Sequence, residues 1–372
     1  MDGMFYRSTG VGRVYESLLA ALVDEPWVEQ IETTVPSSER DRFLLRFAHR
    51  RVAPHFLPYG PMSMGDLFAK SYLLRRIAPR VSLLFFPGHN VPLLAPRPFV
   101  VGVNDATVFS PAFTLSASRK VVFRWLLAST IRRARRVVTI SSVARGEILR
   151  LFPAADGKVE VLYPWVEDAF FEGARGNDPL VDRLLGGGGD FLLYLGLRIR
   201  HKNVDGLLSA FSVLAREFPH LRLVIAGRRY QDPDMVDEWK NSSPWRDRLV
   251  EIVDPEDQTI ARLFARARAF VFPSLAEGFG LPPLEAMAAG VPVVCADLPV
   301  FREIYADAVR YVDGTRAESI AQGVRHVLTD PVLAAEMSRK GRERAAFYRK
   351  GRIAAARLDL IRRLGGGAPG VG

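Results

Sequence analysis

The sequence predicts an α/β protein made of two doubly wound, mostly parallel sheets. Short strand-like apolar runs alternate with helix-like stretches along most of the chain. An interval rich in glycine and proline, Glu172 to Asp190, separates two such series. In both series glycine-containing loops directly follow strand-like runs, where open parallel sheets bind ligands. At 372 residues the chain fits two domains of ordinary size.

The first series starts with a helix from Val11 to about Val23 and a strand around Glu29–Val35. Arg40–Arg51 is an arginine-rich amphipathic stretch, and a helix follows near Asp66–Ile77. Val81–Phe86, Phe99–Val103, Arg136–Ile140 and Val159–Leu162 are β-branched or aromatic runs that read as buried strands. This predicts a first domain over 1–172.

Gly173, Gly176, Pro179 and Gly186–Gly189 then mark a flexible connection. The second series runs through strand Phe191–Leu195, helix Val204–Glu217, strands Leu221–Ala226 and Val250–Val253, helix Thr259–Arg266, strand Ala269–Phe272, helix Pro282–Ala289 and strand Val291–Cys295. It predicts a second domain over 173–345. Residues 346–364 contain an amphipathic helix at Ile353–Leu364, and Gly365–Gly372 is expected to be a disordered tail.

Apolar content of 48% and charged content of 25% are those of a globular chain. A single cysteine, Cys295, excludes an internal disulfide, suggests a reducing compartment and reads as a buried small hydrophobe. No secretory signal and no run of about 18 apolar residues is present, so a cytoplasmic protein is expected. Net charge is +10; residues 1–172 carry 22 Lys and Arg against 16 Asp and Glu. The cations cluster at Arg40–Arg51, Arg75–Arg80 and Arg119–Arg136. With no zinc pattern or nucleic-acid-binding aromatic motif, an anionic membrane or phosphorylated acceptor is the expected partner, and no nucleic acid. Arg42, Phe43, Arg46, Phe47 and Arg50 are the expected membrane-facing stretch.

The most specific segment is Pro273 to Gly290. Gly278 and Gly280 let the backbone approach a ligand, and Pro282 and Pro283 suit a first helical turn. Amides of Gly278, Phe279, Gly280 and Leu281, at the positive end of a helix, make a seat for a diphosphate. Glu277 is placed to hold sugar hydroxyls and Glu285 a ribose. Helix capping alone does not require the glycine pair.

Glu277 and Glu285, with seven residues between them in E-G-F-G-L-P-P-L-E-A-M-A-A-G-V-P-V, resemble the signature of glycosyltransferase family 4. The look is closest to bacterial mannosyltransferases of surface polysaccharide assembly. The resemblance implies GT-B architecture: two Rossmann-like domains facing a deep cleft, with the last helix crossing back to the first domain. It implies retaining, nucleotide-sugar-dependent transfer of a hexose without a metal or cofactor. Mannose from GDP-mannose is favoured, with a glycan or lipid-linked oligosaccharide as acceptor and a cytoplasmic location on the inner membrane face. The alternatives are a phosphorylase or nucleotide-sugar epimerase on the same fold, or an inactive glycan- or membrane-binding module.

A second cationic loop, Leu195 to Asn203, sets Arg198 and Lys202 over a sheet edge, where they could neutralise a departing diphosphate. The matching family loop carries its phosphate-binding lysine at Lys202; Arg200 is expected to face solvent. In the first domain Thr9-Gly10-Val11-Gly12-Arg13 looks like the family's glycine loop near leaving group and acceptor, assigning Gly10 and Gly12 to the donor and Arg13 to the acceptor. Relatives have a full strand ahead of that loop, whereas Met1–Tyr6 is short, so either the first strand is curtailed or the true start lies upstream. Where the family often has His-Asp, this chain has Asn104-Asp105, leaving Asp105 as candidate base and Asn104 as an acceptor contact. His89 is a further acceptor candidate. Ser141 and Ser142 read as helix caps. Asp232-Pro233-Asp234 imitates a metal-binding Asp-x-Asp, but Asp234 reads as a helix start, so no metal site is expected.

Overall fold

The computed structural model describes residues 1–6, 10–61, 63–110, 112–113, 116–173, 181, 190–229 and 233–366. Two compact units result. The first is Met1–Val108 with Leu115–Pro164 and Gly351–Gly372; the second is Phe109–Thr114 with Trp165–Lys350.

In the first unit, α1 (Gly10–Val23), β1 (Ile31–Pro36), α2 (Arg40–Phe47), β2 (Val52–Leu57) and α3 (Lys70–Ile77) precede β3 (Leu84–Phe86) and β4 (Phe99–Gly102). Then come α4 (Ala117–Arg133), β5 (Arg136–Thr139), α5 (Ser142–Leu151) and β6 (Val159–Val161). Strands β3-β4-β5-β6 form one parallel sheet and β1-β2 another. Residues 1–3 link them: Asp2 N donates to Phe85 O at 3.0 Å, and Gly3 N donates to Thr34 O at 2.9 Å. Residues 1–3 therefore make strand-type bonds on both sides.

Tyr6, Tyr15, Phe43 and Phe47 form an aromatic core under α1. This corrects the membrane reading of α2. Phe43 and Phe47 are 0% and 7% exposed, and Arg46 pairs with Glu16 at 2.6 Å. The stretch is amphipathic because one side covers the core. Strand β2 is hidden in the sequence because Pro54 and His55 break its apolar pattern, and α4 because none of residues 117–125 is fully buried. The C-terminal helix, Lys350–Leu364, packs Leu360 and Leu364 against Val100 and Val138. Arg357 donates to the carbonyls of Leu162 and Tyr163, and burial lowers its pKa to about 10.

The second unit begins earlier than expected, at Trp165, and runs to Lys350 rather than 345. Its first helix, α6 (Asp168–Glu172), sets Phe170 against Phe264, and Val166 N donates to the Tyr348 carbonyl at 2.7 Å. Gly176, Pro179 and Gly186–Gly189 lie outside the described residues, as does the tail beyond Gly366. The sheet comprises β7 (Phe191–Leu195), β8 (Arg222–Gly227), β9 (Leu249–Val253), β10 (Ala269–Phe272), β11 (Val293–Ala296) and β12 (Arg310–Val312). All pairings are parallel, in the order β12-β11-β10-β7-β8-β9. Helices α7 (Val204–Glu217), α8 (Met235–Ser242), α9 (Asp257–Arg266), α10 (Leu281–Ala289), α11 (Pro299–Tyr305), α12 (Ala317–Thr329) and α13 (Pro331–Ala346) complete it. Cys295 is fully buried in β11.

Candidate functional site

Strands β7 and β10 lie side by side, but the chain leaves β7 toward β8 and leaves β10 toward β11. Loops that diverge like this open a crevice at the carboxyl edge of the sheet. The two loops are 196–203 and 273–280. Leu275 N donates to His201 O at 2.7 Å, and the Asn203 side-chain amide donates to Pro273 O at 3.1 Å and Gly314 O at 2.6 Å. Across this junction Lys202 Nζ meets Glu277 Oε1 at 2.5 Å, with the two side chains 17% and 11% exposed. Lys202 also lies over the Phe272 ring. Arg200 is exposed.

Arg198 sits deeper, at 1% exposure. Its Nη1 donates to Glu251 at 2.6 Å and Asp234 at 3.2 Å. Among the described residues its Nε and Nη2 have no hydrogen-bond partner. That free edge is the one a guanidinium uses for two parallel bonds to a phosphate. Neither anchor is signalled by the local sequence. Glu251, on β9, also takes Arg229 at 2.8 Å and Lys240. Burial opposes its ionisation, but hydrogen bonds from Lys240 and Arg198, with their charges, lower its pKa to about 2. Asp234 opens α8 in a capping box with Asp237. Asp232 lies outside the described residues, which contain no cluster of metal-ligating side chains. Gly227, at φ +128°, permits the close approach of β7 and β8 that places Arg198 here; a Cβ would meet Gly196 O at 2.2 Å.

Gly280 precedes α10 in the left-handed region (φ +87°), and no side chain caps that helix. Pro282 and Pro283 carry no N–H, so the helix offers the amides of Gly280 and Leu281 at this positive end, with Gly278 and Phe279 preceding them in the loop. Tyr305 donates to Gly280 O at 2.6 Å and fixes the turn. Glu285, one turn further on, is 2% exposed. Ser274 Oγ is buried without a partner among the described residues. Tyr194 joins the set: burial raises its pKa first, then Glu277 raises it while Arg198 lowers it, so both charges stand near one phenol.

The remaining candidates belong to the first unit. Gly10 and Gly12 are in the first turn of α1 rather than in a loop, because the helix begins one residue earlier than expected; Thr9 lies outside the described residues. Arg13 is on the same helix. A Cβ on Gly88 would meet Val11 at 3.1 Å, so this turn borders the His89 loop. Burial lowers the His89 pKa, and Asp105 partly restores it. Asp105 Oδ1 accepts from Thr107 N at 3.0 Å and Thr107 Oγ1 at 2.6 Å, which caps a turn. Asn104 accepts from Thr139 through its backbone carbonyl. Ser141 caps α5, accepting from Ala144 N. That the charge of Asp105 acts on His89 is not visible in sequence, since they end different strands.

Residues 182–344 match the family model described as glycosyl transferases group 1. O-antigen chain mannosyltransferase RfbU of Salmonella typhimurium is 26% identical over 239 residues, 64% of this chain and 63% of that protein. O-antigen chain mannosyltransferase B of Escherichia coli is 30% identical over 209 residues, 55% and 54% of the two chains. The chain thus spans about half to two thirds of these relatives. Among solved structures, Anabaena Alr3699/HepE in complex with UDP-glucose superposes with a TM-score of 0.76 at 16% identity, covering 96% of this chain and 97% of that one. WaaG, a glycosyltransferase involved in lipopolysaccharide biosynthesis, gives 0.70 at 15% identity, covering 95% and 96%. The fold is the GT-B fold of glycosyltransferases. Within it, residues 182–344 resemble the glycosyl transferases of group 1, and the chain is similar to bacterial mannosyltransferases of O-antigen assembly.

Proposed function

We propose that the chain transfers a hexosyl group from a nucleotide sugar to a glycan or lipid-linked oligosaccharide in surface polysaccharide assembly. GDP-mannose is the favoured donor, because the matching O-antigen relatives are named mannosyltransferases. The observation that carries the reading is Arg198: a buried guanidinium held by two carboxylates with its Nε–Nη2 edge unpartnered among the described residues.

A diphosphate on that edge would have the α10 amides as further donors and Lys202 within reach. The arriving phosphate would draw Lys202 from Glu277, freeing a carboxylate for the sugar hydroxyls. Charge developing on the departing diphosphate as the C1–O bond breaks is then met by fixed donors, which need little reorganisation. No metal enters this scheme. Glu285 is assigned to the ribose. Retention is assigned with the family: the acceptor oxygen bonds C1 on the leaving-group face as the C1–O bond breaks, and the acceptor hydroxyl's proton passes to the departing diphosphate. Gly10, Gly12, Arg13, His89, Asn104 and Asp105 are assigned to the acceptor and leaving-group side, with His89 neutral near pH 7. The enzyme works in the cytoplasm at the inner membrane face.

Calorimetry over GDP-, UDP- and dTDP-sugars, followed by transfer assays with radiolabelled donor, tests this. Donor binding, with transfer lost in Lys202→Ala and Glu277→Ala, is expected. Full transfer by both variants refutes the site. Turnover without acceptor glycan points to an epimerase, phosphate-dependent turnover to a phosphorylase, and no nucleotide binding to a binding module.

A further inference from the structure

Helix α4 stands out in the first unit. None of its first nine side chains, 117–125, is fully buried, although Phe123 sets its ring edge-on to His89 at 5.0 Å; the buried positions are Leu127, Thr130 and Ile131. Yet this projecting half carries Val121, Val122 and Trp125 at 67%, 57% and 59% exposure. Residues three and four apart share a helix face, so Val121, Val122 and Trp125 form one apolar patch. Arg119, Lys120 and Arg124 stand in the same two turns. From Ala106 to Gly146 the sequence holds eight Lys and Arg and no Asp or Glu. Three of the other five cations of this stretch are committed to structure: Arg133 and Arg135 to carbonyls, Arg136 to Glu160.

We propose that the N-terminal half of α4 docks on an anionic bilayer, with Trp125 and the two valines entering the headgroup boundary and Arg119, Lys120 and Arg124 meeting acidic headgroups. This deepens the membrane location proposed above and moves it from α2, whose phenylalanines are buried, to α4. A tryptophan amid valines and acid-free cations is the composition of an interfacial helix. Charge alone would suit any polyanion; the exposed apolar trio selects a lipid surface.

The test is sedimentation of the full chain with vesicles of phosphatidylglycerol and phosphatidylcholine, and of phosphatidylcholine alone. The parent is expected to partition more than about tenfold better onto the anionic vesicles, and less as salt rises. The triple variant Val121→Ser/Val122→Ser/Trp125→Ser is expected to lose roughly tenfold in partitioning, because its apolar contribution is gone. Leu45→Ser on α2, at 88% exposure, is expected to bind as the parent does. Thermal unfolding and nucleotide-diphosphate calorimetry, unchanged in the triple variant, would show that it is folded. Undiminished partitioning of that variant, equal binding to neutral vesicles, or no vesicle binding by the parent overturns the proposal. Heparin binding equal to vesicle binding in both parent and variant, marking a general polyanion site, overturns it too. The vesicle assay needs no donor, so failure of the transfer reading leaves its result standing.

Discussion

Glu251→Gln separates a phosphate-binding Arg198 from a merely structural one. In the parent, Glu251 Oε2 accepts from Arg198 at 2.6 Å and Arg229 at 2.8 Å, while Oε1 takes Lys240. Glutamine keeps one acceptor oxygen but removes the charge, leaving Arg198 with Asp234 at 3.2 Å as its only carboxylate. Arg229 and Lys240 are 29% and 33% exposed and can turn to water, so most of the loss falls on Arg198. A pKa lowered from 4.5 to about 2 corresponds to roughly 3 kcal/mol, and screening at the half-wet end of the cluster reduces it to ~2 kcal/mol.

The sign follows from proton uptake. Glu251 is depressed in the fold, so its contribution is complete above about pH 4.5 and fades as pH falls toward 2. The variant should lose ~2 kcal/mol near neutral pH, lowering the midpoint of the second unit's unfolding by about 5 °C, and that acid-dependent decline should disappear. The discriminating readout is ligand affinity. With Arg198 less firmly held, a nucleoside diphosphate should bind roughly tenfold more weakly, while the monophosphate or nucleoside changes little. Equal weakening of all three, or unchanged diphosphate affinity alongside the expected loss of stability, would refute the role given to Arg198.

Glu277→Gln should leave product diphosphate binding intact or tighter, because Lys202 loses its competing carboxylate, yet should reduce kcat by more than about a hundredfold; parallel losses in both would contradict the exchange of partners. Lys202→Ala should weaken the diphosphate by the ~1.5–3 kcal/mol of one charged hydrogen bond, read by calorimetry. His89 is held below its ordinary pKa by burial, so the unfolded chain binds the extra proton first and stability should fall as pH drops below 6.5; His89→Gln should flatten that slope in pH-dependent denaturation. Gly280→Ala puts a Cβ 2.0 Å from the Tyr305 hydroxyl at a φ of +87°, and should cost at least ~2 kcal/mol and abolish donor binding. Gly10→Ala meets nothing within 4 Å, so any loss of transfer there without loss of stability would mark a ligand approaching the first turn of α1.

The loop pair at the switch point was legible because its parts are local. Glycines, prolines and acids at fixed offsets in 277–285, and cations two and six residues past Gly196, are one-dimensional facts. What holds them was not. Arg198 is anchored by residues 36 and 53 positions away, on α8 and β9. Asp234 reads as a helix start in sequence, and it is one; nothing local says that its second oxygen also neutralises a buried guanidinium. Nor does a lone Glu in the strand Leu249–Val253 announce three cations converging on it. Amphipathic periodicity misleads in a way that has a physical cause. In Arg40–Arg51 the pattern of phenylalanine and arginine is real, but period alone does not say whether the apolar face meets the protein or a membrane. In α4 the pattern is weak, since Val121, Val122 and Trp125 sit at the projecting end while the buried stripe begins at Leu127. The exposed face is identified by subtraction: the core claims Leu127, Thr130 and Ile131 and leaves the tryptophan outside. Burial is set by the neighbours of a helix, so only coordinates could move the membrane assignment from one basic segment to the other.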